Sequence, residues 1–402
     1  MSIGTLEFRD LKRQYEHIKD AVDANISSVI QSTHFIGGSE IKTLESTLAA
    51  YTGRKHCITC ANGTDAITIA LGAAGIGAGD AVFVPDFTFF SSGESPAIVG
   101  ATPIFVDISS DTYNISVSSL EANIEKVKRE GELKPAAVVA VDLFGQPFDY
   151  EAISKVCECY NLLLLEDAAQ GFGGSYIDHI GTKRIAGSLG KISTTSFFPA
   201  KPLGCYGDGG AIFTDDDNLA TLCRSIAVHG KDMNNPSDPN AKYNNARLGY
   251  NSRLDTLQAG VLLAKFPTFR DEELDKVDYM ASLYSELLKD VPGIKLPIVE
   301  DRYRSSWAQY TIQLPTGSLS DVEQVEYRKR VQVELMSAGI PTNIYYPKPM
   351  HTQGAFEGTR SAVADCKITE TLCKTVLCLP IHPYLSAEEV KYISDRLKVV
   401  IN

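Results

Sequence analysis

The residue with the clearest chemical potential is Lys201, which stands in the ten-residue segment between Phe198 and Gly209. That segment also carries two prolines and two glycines, so it predicts a tight turn. A lysine in such a turn contributes nothing to packing. An amine held at a fixed point with a lowered pKa can form a Schiff base with a carbonyl compound. The pattern therefore favours a Schiff-base lysine, with an ordinary surface lysine as the alternative.

Two acidic residues, Glu166 and Asp167, directly follow the four leucines Leu162–Leu165. The leucines predict a buried strand, and ligands of doubly wound α/β sheets gather at the carboxyl ends of strands. A carboxylate there is costly unless a cationic group meets it. A protonated pyridine nitrogen is such a cationic group. An acidic side chain opposite this nitrogen keeps it protonated, so that the ring acts as an electron sink. A carboxylate that caps the next helix is an equally supported interpretation of this segment alone.

Two polar segments have the chemistry of a phosphate site. Asn62-Gly63-Thr64-Asp65 lies where a strand is expected to end and a helix to begin, so free N–H groups and a helix dipole face an anion. The hydroxyl of Ser196, five residues before Lys201, is a second donor. For the tetrapeptide alone an ordinary N-cap is the simpler interpretation. Phe87, at another predicted strand end, is a candidate to lie flat on a bound ring, although such residues more often belong to the core.

Cys57 and Cys60 form a C-x-x-C motif, which suits a redox couple or half of a zinc site. The chain contains no second pair of matching spacing. The surrounding segment is typical of a buried strand in which cysteine acts as a small hydrophobic residue. We therefore expect neither role for this pair, and no metal site.

The elements that must position these residues follow from apolar runs that alternate with amphipathic stretches. Helices are predicted at Asp65–Ala74 and Tyr150–Tyr160, and the apolar runs predict the strands of a mostly parallel, seven-stranded α/β sheet. These runs are His56–Ala61, Ala81–Pro85, Pro103–Ile108, Ala136–Val141, Leu162–Leu165, Ser193–Phe198 and Gly210–Phe213. The ten residues before Gly209 are too few for a parallel crossover. We therefore expect Gly210–Phe213 to run antiparallel to its neighbours.

Beyond Arg253 the pattern of apolar and polar residues changes, and it predicts a second, smaller α+β domain. Its predicted elements are a long helix towards Leu287, a strand at Tyr310–Leu314, a helix at Asp321–Ala338 and a closing helix from Ala387. We predict a large domain over residues 14–260 and a small domain over residues 261–402 that residues 1–13 complete. Asp232–Asn240, rich in Asn, Asp and Pro, is predicted to be a loop.

Composition excludes several classes of protein. The chain has 402 residues, which suits a large domain plus a smaller one. Its net charge of −12 argues against a nucleic-acid partner, which needs a concentrated positive surface. No apolar run approaches the ~20 residues of a membrane span, and the N-terminus lacks the apolar core of a signal peptide. Nine cysteines without framework spacing fit a reducing compartment, so we expect a cytoplasmic protein with no membrane partner.

Taken in order along the chain, these segments resemble the DegT/DnrJ/EryC1/StrS family of nucleotide-sugar aminotransferases from Leu6 to about Leu385. Further motifs of this resemblance lie around and beyond the lysine. The segments that carry it are Asn62–Ala66, Pro85–Thr88, Glu166–Gln170, Ser196–Gly204, Gly207–Ala211 and Gly249–Ala259.

The resemblance implies the aspartate-aminotransferase fold (type I), a pyridoxal 5′-phosphate (PLP) cofactor and a homodimer with active sites at the interface. It implies that Lys201 forms the Schiff base and moves the proton of the reaction. The remaining cofactor contacts that it implies are Asp167 to the pyridine nitrogen, Gln170 to the phenolic oxygen, Phe87 on the ring face, Gly63, Thr64 and Ser196 to the phosphate, and Asn251 to the neighbouring subunit's phosphate.

The same resemblance implies a nucleotide-linked keto-sugar as acceptor and glutamate as amino donor. Likeness to members that act on 3-keto sugars favours C3 of a UDP-linked hexose. The residues expected around the sugar are Arg253, Tyr345, Tyr346 and His351. Relatives often carry His-Tyr-Pro where this chain has Tyr345-Tyr346-Pro347, which leaves the exact sugar open.

Two alternatives belong to other classes of function. A PLP-dependent sugar dehydratase of the same family has histidine in place of the lysine, whereas position 201 is lysine. A non-enzymatic regulator is the other alternative, and the complete set of cofactor residues and the acidic charge count against it.

Overall fold

The computed structural model describes residues 6–233 and 243–401. The predicted loop at Asp232–Asn240 therefore lies, from position 234 onwards, outside the described residues. The strands are β1 (His56–Cys60), β2 (Asp80–Pro85), β3 (Thr102–Val106), β4 (Lys134–Val141), β5 (Leu163–Asp167), β6 (Ser175–Ile177), β7 (Lys183–Ile185), β8 (Ile192–Ser196), β9 (Gly210–Thr214), β10 (Tyr303–Arg304), β11 (Tyr310–Gln313) and β12 (Val376–Leu379). The α-helices are α1 (Leu11–Ser32), α2 (Ser39–Thr52), α3 (Gly63–Ala73), α4 (Phe90–Ile98), α5 (Val117–Glu130), α6 (Tyr150–Tyr160), α7 (Asp217–Ala227), α8 (Thr256–Thr268), α9 (Leu274–Leu288), α10 (Asp321–Ser337), α11 (Lys367–Thr375) and α12 (Ala387–Ile401).

Seven of the strands form one sheet in the order β1-β9-β8-β5-β4-β2-β3. Strand β9 pairs antiparallel with both β1 and β8, and the other neighbouring pairs run parallel. The predicted seven-stranded, mostly parallel sheet and the antiparallel direction of Gly210–Phe213 are thus confirmed. The short turn that holds Lys201 accounts for this direction, because it returns the chain beside β8 without a crossover.

Apolar layers cover both faces of this sheet. In β2, Val82 and Val84 pack in one hydrophobic cluster with Ile67 of α3. The intervening Phe83 packs in another cluster with Ile124 of α5. Because successive side chains of a strand point to opposite faces, this alternation shows that helices cover the sheet on both sides, as in α/β folds.

The start of α3 is fixed by its own sequence. The Oδ1 atom of Asn62 accepts a hydrogen bond from the backbone N–H of Asp65 at 2.8 Å, which caps the first turn. Helix α3 therefore begins directly after β1, at the carboxyl edge of the sheet. Its N-terminal N–H groups are held at that edge.

A second core lies in the C-terminal part of the chain. Buried apolar residues of α9, β11, α10, β12 and α12 form one cluster, and Leu6 joins it. The domain division between residues 260 and 261 stays a prediction. That point falls within α8, which continues through a π-helical turn (Phe269–Glu273) into α9. One helical run thus connects the two cores.

The sequence did not predict a small three-stranded sheet, in which β6 pairs antiparallel with both β7 and β10. Its strands are two or three residues long, too short for a recognisable alternation of apolar and polar residues. Among the helices of residues 6–233 and 243–401, none has the length and apolar character that crossing a membrane requires.

Candidate active site

A cavity of about 640 Å³ opens at the carboxyl edge of the large sheet. The strands β4, β5 and β8 end in residues of its wall, and the segments that follow β1 and β2 contribute further wall residues, as expected for the ligand site of an α/β sheet. The residues that line it are Asn62, Gly63, Thr64, Asp65, Ile67, Thr88, Phe89, Ser91, Val141, Asp167, Ala169, Gln170, Ser196, Phe198, Ala200, Lys201, Asp208, Gln309, Tyr345 and Tyr346.

Lys201 reaches the cavity from the turn between β8 and β9. Its backbone N–H donates to the carbonyl of Phe198 at 2.8 Å, and its own carbonyl accepts from Nη2 of Arg9 at 3.0 Å. A Cβ at Gly204 would lie 2.5 Å from the carbonyl oxygen of Pro199, so the turn requires glycine there. Burial lowers the pKa of the Lys201 ammonium; Asp167 opposes this effect and the cationic Arg9 adds to it.

Asp167 forms another wall of the cavity and is 5% exposed. Its Oδ2 accepts a hydrogen bond from Oγ of Ser92 at 2.8 Å, and its Oδ1 accepts from the N–H of Ala169 at 3.2 Å. Burial raises the pKa of the Asp167 carboxyl, while these two hydrogen bonds and Lys201 work against the rise. The carboxylate is thus held in place by two donors and faces a lysine across the cavity.

The third wall combines the N-terminus of α3 with the end of β8. A Cβ added to Gly63 would lie 2.7 Å from Cβ of Ser196, so glycine is what lets the helix approach this serine. The hydroxyls of Thr64 and Ser91 lie 2.6 Å apart at the same place. A helix N-terminus bordered by hydroxyl groups is suited to an anion such as a phosphate.

Gln170 links the large sheet to the C-terminal part of the cavity wall. Its Oε1 accepts from the N–H of Phe144 at 2.7 Å, and its Nε2 donates to the hydroxyl of Tyr346 at 2.9 Å. Burial raises the pKa of Tyr346, so this phenol stays protonated. Tyr345 lies beside it, with ring centroids 5.6 Å apart.

Of the twelve residues predicted for the site, the structure brings eight to this cavity: Gly63, Thr64, Asp167, Gln170, Ser196, Lys201, Tyr345 and Tyr346. The roles assigned to them stay predictions.

The sequence predicts that Phe87 lies on the bound ring, but Phe87 is not among the residues that line the cavity. Its side chain is only 1% exposed and packs in the core, edge-on to Phe144 and Tyr346. Phe89, two residues further, is 54% exposed and is part of the cavity wall. The chain leaves the sheet at Pro85, so strand alternation could not decide between the two aromatic residues.

The sequence predicts that His351 contacts the sugar, but His351 is also not among the residues that line the cavity. Its ring is buried, and Nδ1 lies 2.7 Å from Oδ2 of Asp86. Asp86 thus pairs with Nδ1 of the ring, and Nε2 lies 3.8 Å from Oε1 of Glu370. The ion pair raises the pKa of His351.

Asn251 and Arg253 are exposed on the outside of the single chain and do not line its cavity. Nη2 of Arg253 donates to Oδ1 of Asn251 at 2.6 Å. The two residues therefore lie together, and Ser252 between them accepts a hydrogen bond from the N–H of Ala61, next to the cavity residue Asn62.

Three polar groups near the cavity were missed by sequence reasoning: Ser92, Arg9 and Gln309. Gln309 lines the cavity, and its Oε1 is buried with no hydrogen-bond partner among the described residues. Serine in a helix start and glutamine before a strand are common, so only the fold could single them out.

Cys57 and Cys60 lie in β1 and pack into two different hydrophobic clusters on opposite faces of the sheet. Both are free thiols, and burial raises the pKa of each. Two thiols on opposite faces of a strand cannot bind one metal ion or join in a disulfide, so they behave as the core residues that the sequence indicated.

Comparisons with known proteins agree with this geometry. A match to the DegT/DnrJ/EryC1/StrS aminotransferase family spans residues 16–398. The chain is 42% identical over 394 residues to a UDP-2-acetamido-2-deoxy-3-oxo-D-glucuronate aminotransferase of Pseudomonas aeruginosa, covering 98% of this chain and 99% of the relative. It is 39% identical over 391 residues to a pleiotropic regulatory protein of Geobacillus stearothermophilus, covering 96% of each.

A crystal structure of a DegT DnrJ EryC1 StrS aminotransferase from Brucella abortus has the same fold, with a TM-score of 0.89 and 41% identity. The alignment covers 99% of this chain and 100% of that one. Because these matches extend over nearly the whole chain and its fold, we conclude that the protein belongs to the DegT/DnrJ/EryC1/StrS aminotransferase family, PLP-dependent enzymes of aspartate-aminotransferase fold type I.

Proposed function

We propose that this enzyme transfers an amino group from glutamate to C3 of a UDP-linked 3-keto-hexose. The observation that carries the proposal is that Lys201 and Asp167 line the same cavity. The amine of Lys201 stands on a turn that requires glycine, and the carboxylate of Asp167 stands at the end of β5. The sugar is supported by the 42% identical relative, whose name gives a UDP-linked 3-oxo sugar acid.

The cavity residues fit PLP. Gly63, Thr64 and Ser196 would hold the phosphate, in a cradle that a single added Cβ at Gly63 would disturb. Asp167 would meet the pyridine nitrogen and Gln170 the phenolic oxygen. When bound, PLP supplies a conjugated ring that withdraws electrons from the reacting carbon.

The face of that ring would lie against Phe89 in place of Phe87. Phe89 is the aromatic residue that reaches the cavity wall from the end of β2. Its partner in the wall is Tyr346, with ring centroids 6.3 Å apart. Flat aromatic contact is favourable for a ring of this kind.

Lys201 moves the protons of both half-reactions. Its lowered pKa leaves more of the amine neutral near pH 7, which a general base needs. It takes the proton from Cα of the amino donor, and it delivers a proton to C3 of the sugar. The main-chain hydrogen bonds of its turn hold it at one point, which keeps the transfer distance short.

The sugar would be recognised by polar groups on the part of the cavity wall away from α3. Tyr345 and Tyr346 offer two phenols, and Gln309 offers a buried amide oxygen that has no hydrogen-bond donor within residues 6–233 and 243–401. A sugar hydroxyl would satisfy this oxygen. Buried polar groups that only the correct hydroxyl can satisfy discriminate strongly between sugars.

A homodimer would complete the site. Asn251 and Arg253 lie together on the outside of the chain. We assign Asn251 to the phosphate of the second copy's cofactor. We assign Arg253 to the C6 carboxylate of a uronate substrate, because a guanidinium binds a carboxylate with two parallel hydrogen bonds. We place the enzyme in the cytoplasm, since all nine cysteines are free thiols.

The test is the position of nitrogen in the product. PLP-loaded enzyme is incubated with glutamate and a UDP-linked 3-keto-uronate, with a UDP-linked 4-keto-hexose as the matched control. We expect NMR of the product to place nitrogen at C3, with slower or no turnover of the control. Nitrogen at C4 contradicts the assigned carbon, and the absence of transfer to either sugar contradicts the substrate class.

A Lys-for-Arg substitution at Arg253 tests the uronate. Arg253→Lys keeps the charge and removes the bidentate geometry, so kcat/KM should fall about tenfold for the uronate and little for the matching sugar with a C6 hydroxyl. An equal loss for both sugars contradicts a contact with the carboxylate.

A further inference from the structure

Behind the cavity, a buried pair connects two walls that are far apart in the sequence. One wall is formed by Thr88 and Phe89, just after β2, and the other by Tyr345 and Tyr346. Asp86 precedes the first wall by two residues and is fully buried, and His351 follows the second wall by five residues and is 9% exposed. Neither Asp86 nor His351 touches the cavity itself.

Three hydrogen bonds join these two positions. The backbone N–H of His351 donates to Oδ1 of Asp86 at 2.8 Å, and Nδ1 of the ring lies 2.7 Å from Oδ2. The N–H of Met350 donates to the carbonyl oxygen of Asp86 at 3.0 Å. Both oxygens of the carboxylate are therefore used, and the link involves backbone and side chain on both sides.

Cys366 lies close enough that a metal ion has to be considered. One donor atom from each of Asp86, His351 and Cys366 lies within 4.8 Å of the others. The 2.7 Å between Nδ1 and Oδ2 is shorter than the about 3.3 Å that separates two ligands of a tetrahedral zinc ion. Burial also raises the pKa of the Cys366 thiol, which disfavours the thiolate that a metal binds. The pair is hydrogen-bonded, not metal-bridged.

We propose that Asp86 and His351 are positioning residues that hold the Tyr345–Tyr346 wall at a fixed distance from the Phe89 wall, and so set the width of the sugar pocket. The inference rests on the proposed function, in which both walls contact the cofactor or the sugar. A direct contact between the walls is the one between the rings of Phe89 and Tyr346, whose centroids lie 6.3 Å apart. A ring contact is less directional than the buried hydrogen bonds that join Asp86 to the backbone and the ring of His351.

Two amide variants of His351 test whether the position of its hydrogen-bond donor matters. His351→Asn places an N–H donor where Nδ1 stands, so it can still bond to Asp86. His351→Gln carries the same amide one carbon further, where Nε2 stands, and leaves Oδ2 of the buried carboxylate without its partner. Both variants remove the imidazole and both are uncharged, so they differ by one methylene group and in where the donor lies.

The first readout is kinetic, with thermal unfolding and PLP content checked in each variant. We expect His351→Gln to lower kcat/KM for the keto-sugar about tenfold, mainly through KM, and His351→Asn to stay within about threefold of wild type. The spectral change on adding glutamate alone should differ less between the two. Equal sugar kinetics for the Asn and Gln variants overturn the proposal.

The second readout does not depend on any substrate and keeps the inference separate from the proposed function. In wild type and both variants, amide hydrogen exchange is measured in the segments 87–92 and 345–352. We expect faster exchange in both segments for His351→Gln and in neither for His351→Asn. Faster exchange confined to 350–352, or equal in the two variants, overturns the inference even if the enzyme aminates the sugar as proposed. If wild type transfers no amino group to the sugar, the proposed function fails and this readout still decides the positioning role.

Discussion

The close approach of Gly63 to Ser196 gives the sharpest prediction about cofactor binding. In Gly63→Ala the new Cβ would lie 2.7 Å from Cβ of Ser196, 3.2 Å from its Oγ and 3.3 Å from its Cα. Carbon atoms rest at about 3.5–4.0 Å, so α3 and the end of β8 must separate by about 1 Å. The atoms in the way belong to the backbone and to the first side-chain atom of a strand, which cannot swing aside.

The expected cost follows from this overlap. Inserting a methyl group into a closely packed site typically costs about 1–3 kcal/mol. Here the displaced groups are those assigned to the phosphate, so the same shift should weaken PLP binding by about ten- to a hundredfold. Gly72→Ala is the matched control, because it lies in the same helix and its Cβ would meet nothing within 4 Å. That substitution should leave PLP affinity unchanged and stabilise the helix by about 0.5–1 kcal/mol.

The assay is a PLP titration of the cofactor-free variants, followed by absorbance, with thermal unfolding of the same samples. A Gly63→Ala protein that binds PLP with wild-type affinity would refute the assignment of this corner to the phosphate. An equal loss of affinity in Gly72→Ala would show that the effect comes from the helix in general.

Two further predictions concern groups around the cofactor. Ser92→Ala removes the hydroxyl that donates to Asp167 and opposes the rise of the Asp167 pKa, so this pKa should rise further. The acid limb of the pH profile of kcat should then move to higher pH, and an unmoved limb speaks against the role of Asp167. Asn251→Ala should weaken PLP retention by about ten- to a hundredfold, and dilution of the enzyme to monomers should release the cofactor. Size-exclusion chromatography with absorbance detection checks both results, and a fully active monomer that retains PLP contradicts the shared site.

Much of the fold could be predicted because the signals are local. The apolar runs gave all seven strands of the large sheet, with ends within a few residues, and the length of one turn gave the direction of β9. The residues after strand ends were found for the same reason, since Asp167 and Ser196 directly close β5 and β8. The roles of these residues follow from the family resemblance and stay to be measured.

What the sequence could not decide depends on contacts distant in the sequence or on backbone geometry outside regular elements. The structure pairs His351 with Asp86, which is 265 positions away, and no sequence periodicity reports such a pair. Phe87 and Phe89 lie in an irregular segment after Pro85, where neither alternation nor helical spacing says which aromatic side chain turns towards the cavity. Only the folded chain distinguishes them.

The site of covalent PLP attachment directly tests the role of Lys201. The enzyme is loaded with PLP, reduced with borohydride and digested, and the modified peptide is identified by mass spectrometry. Lys265 is an alternative attachment site, because burial lowers its pKa to about 8. It is buried but does not line the cavity. A label on Lys201, lost in Lys201→Ala together with all transamination, is the predicted result. A label on Lys265 or another lysine, or full activity in Lys201→Ala, would contradict the account.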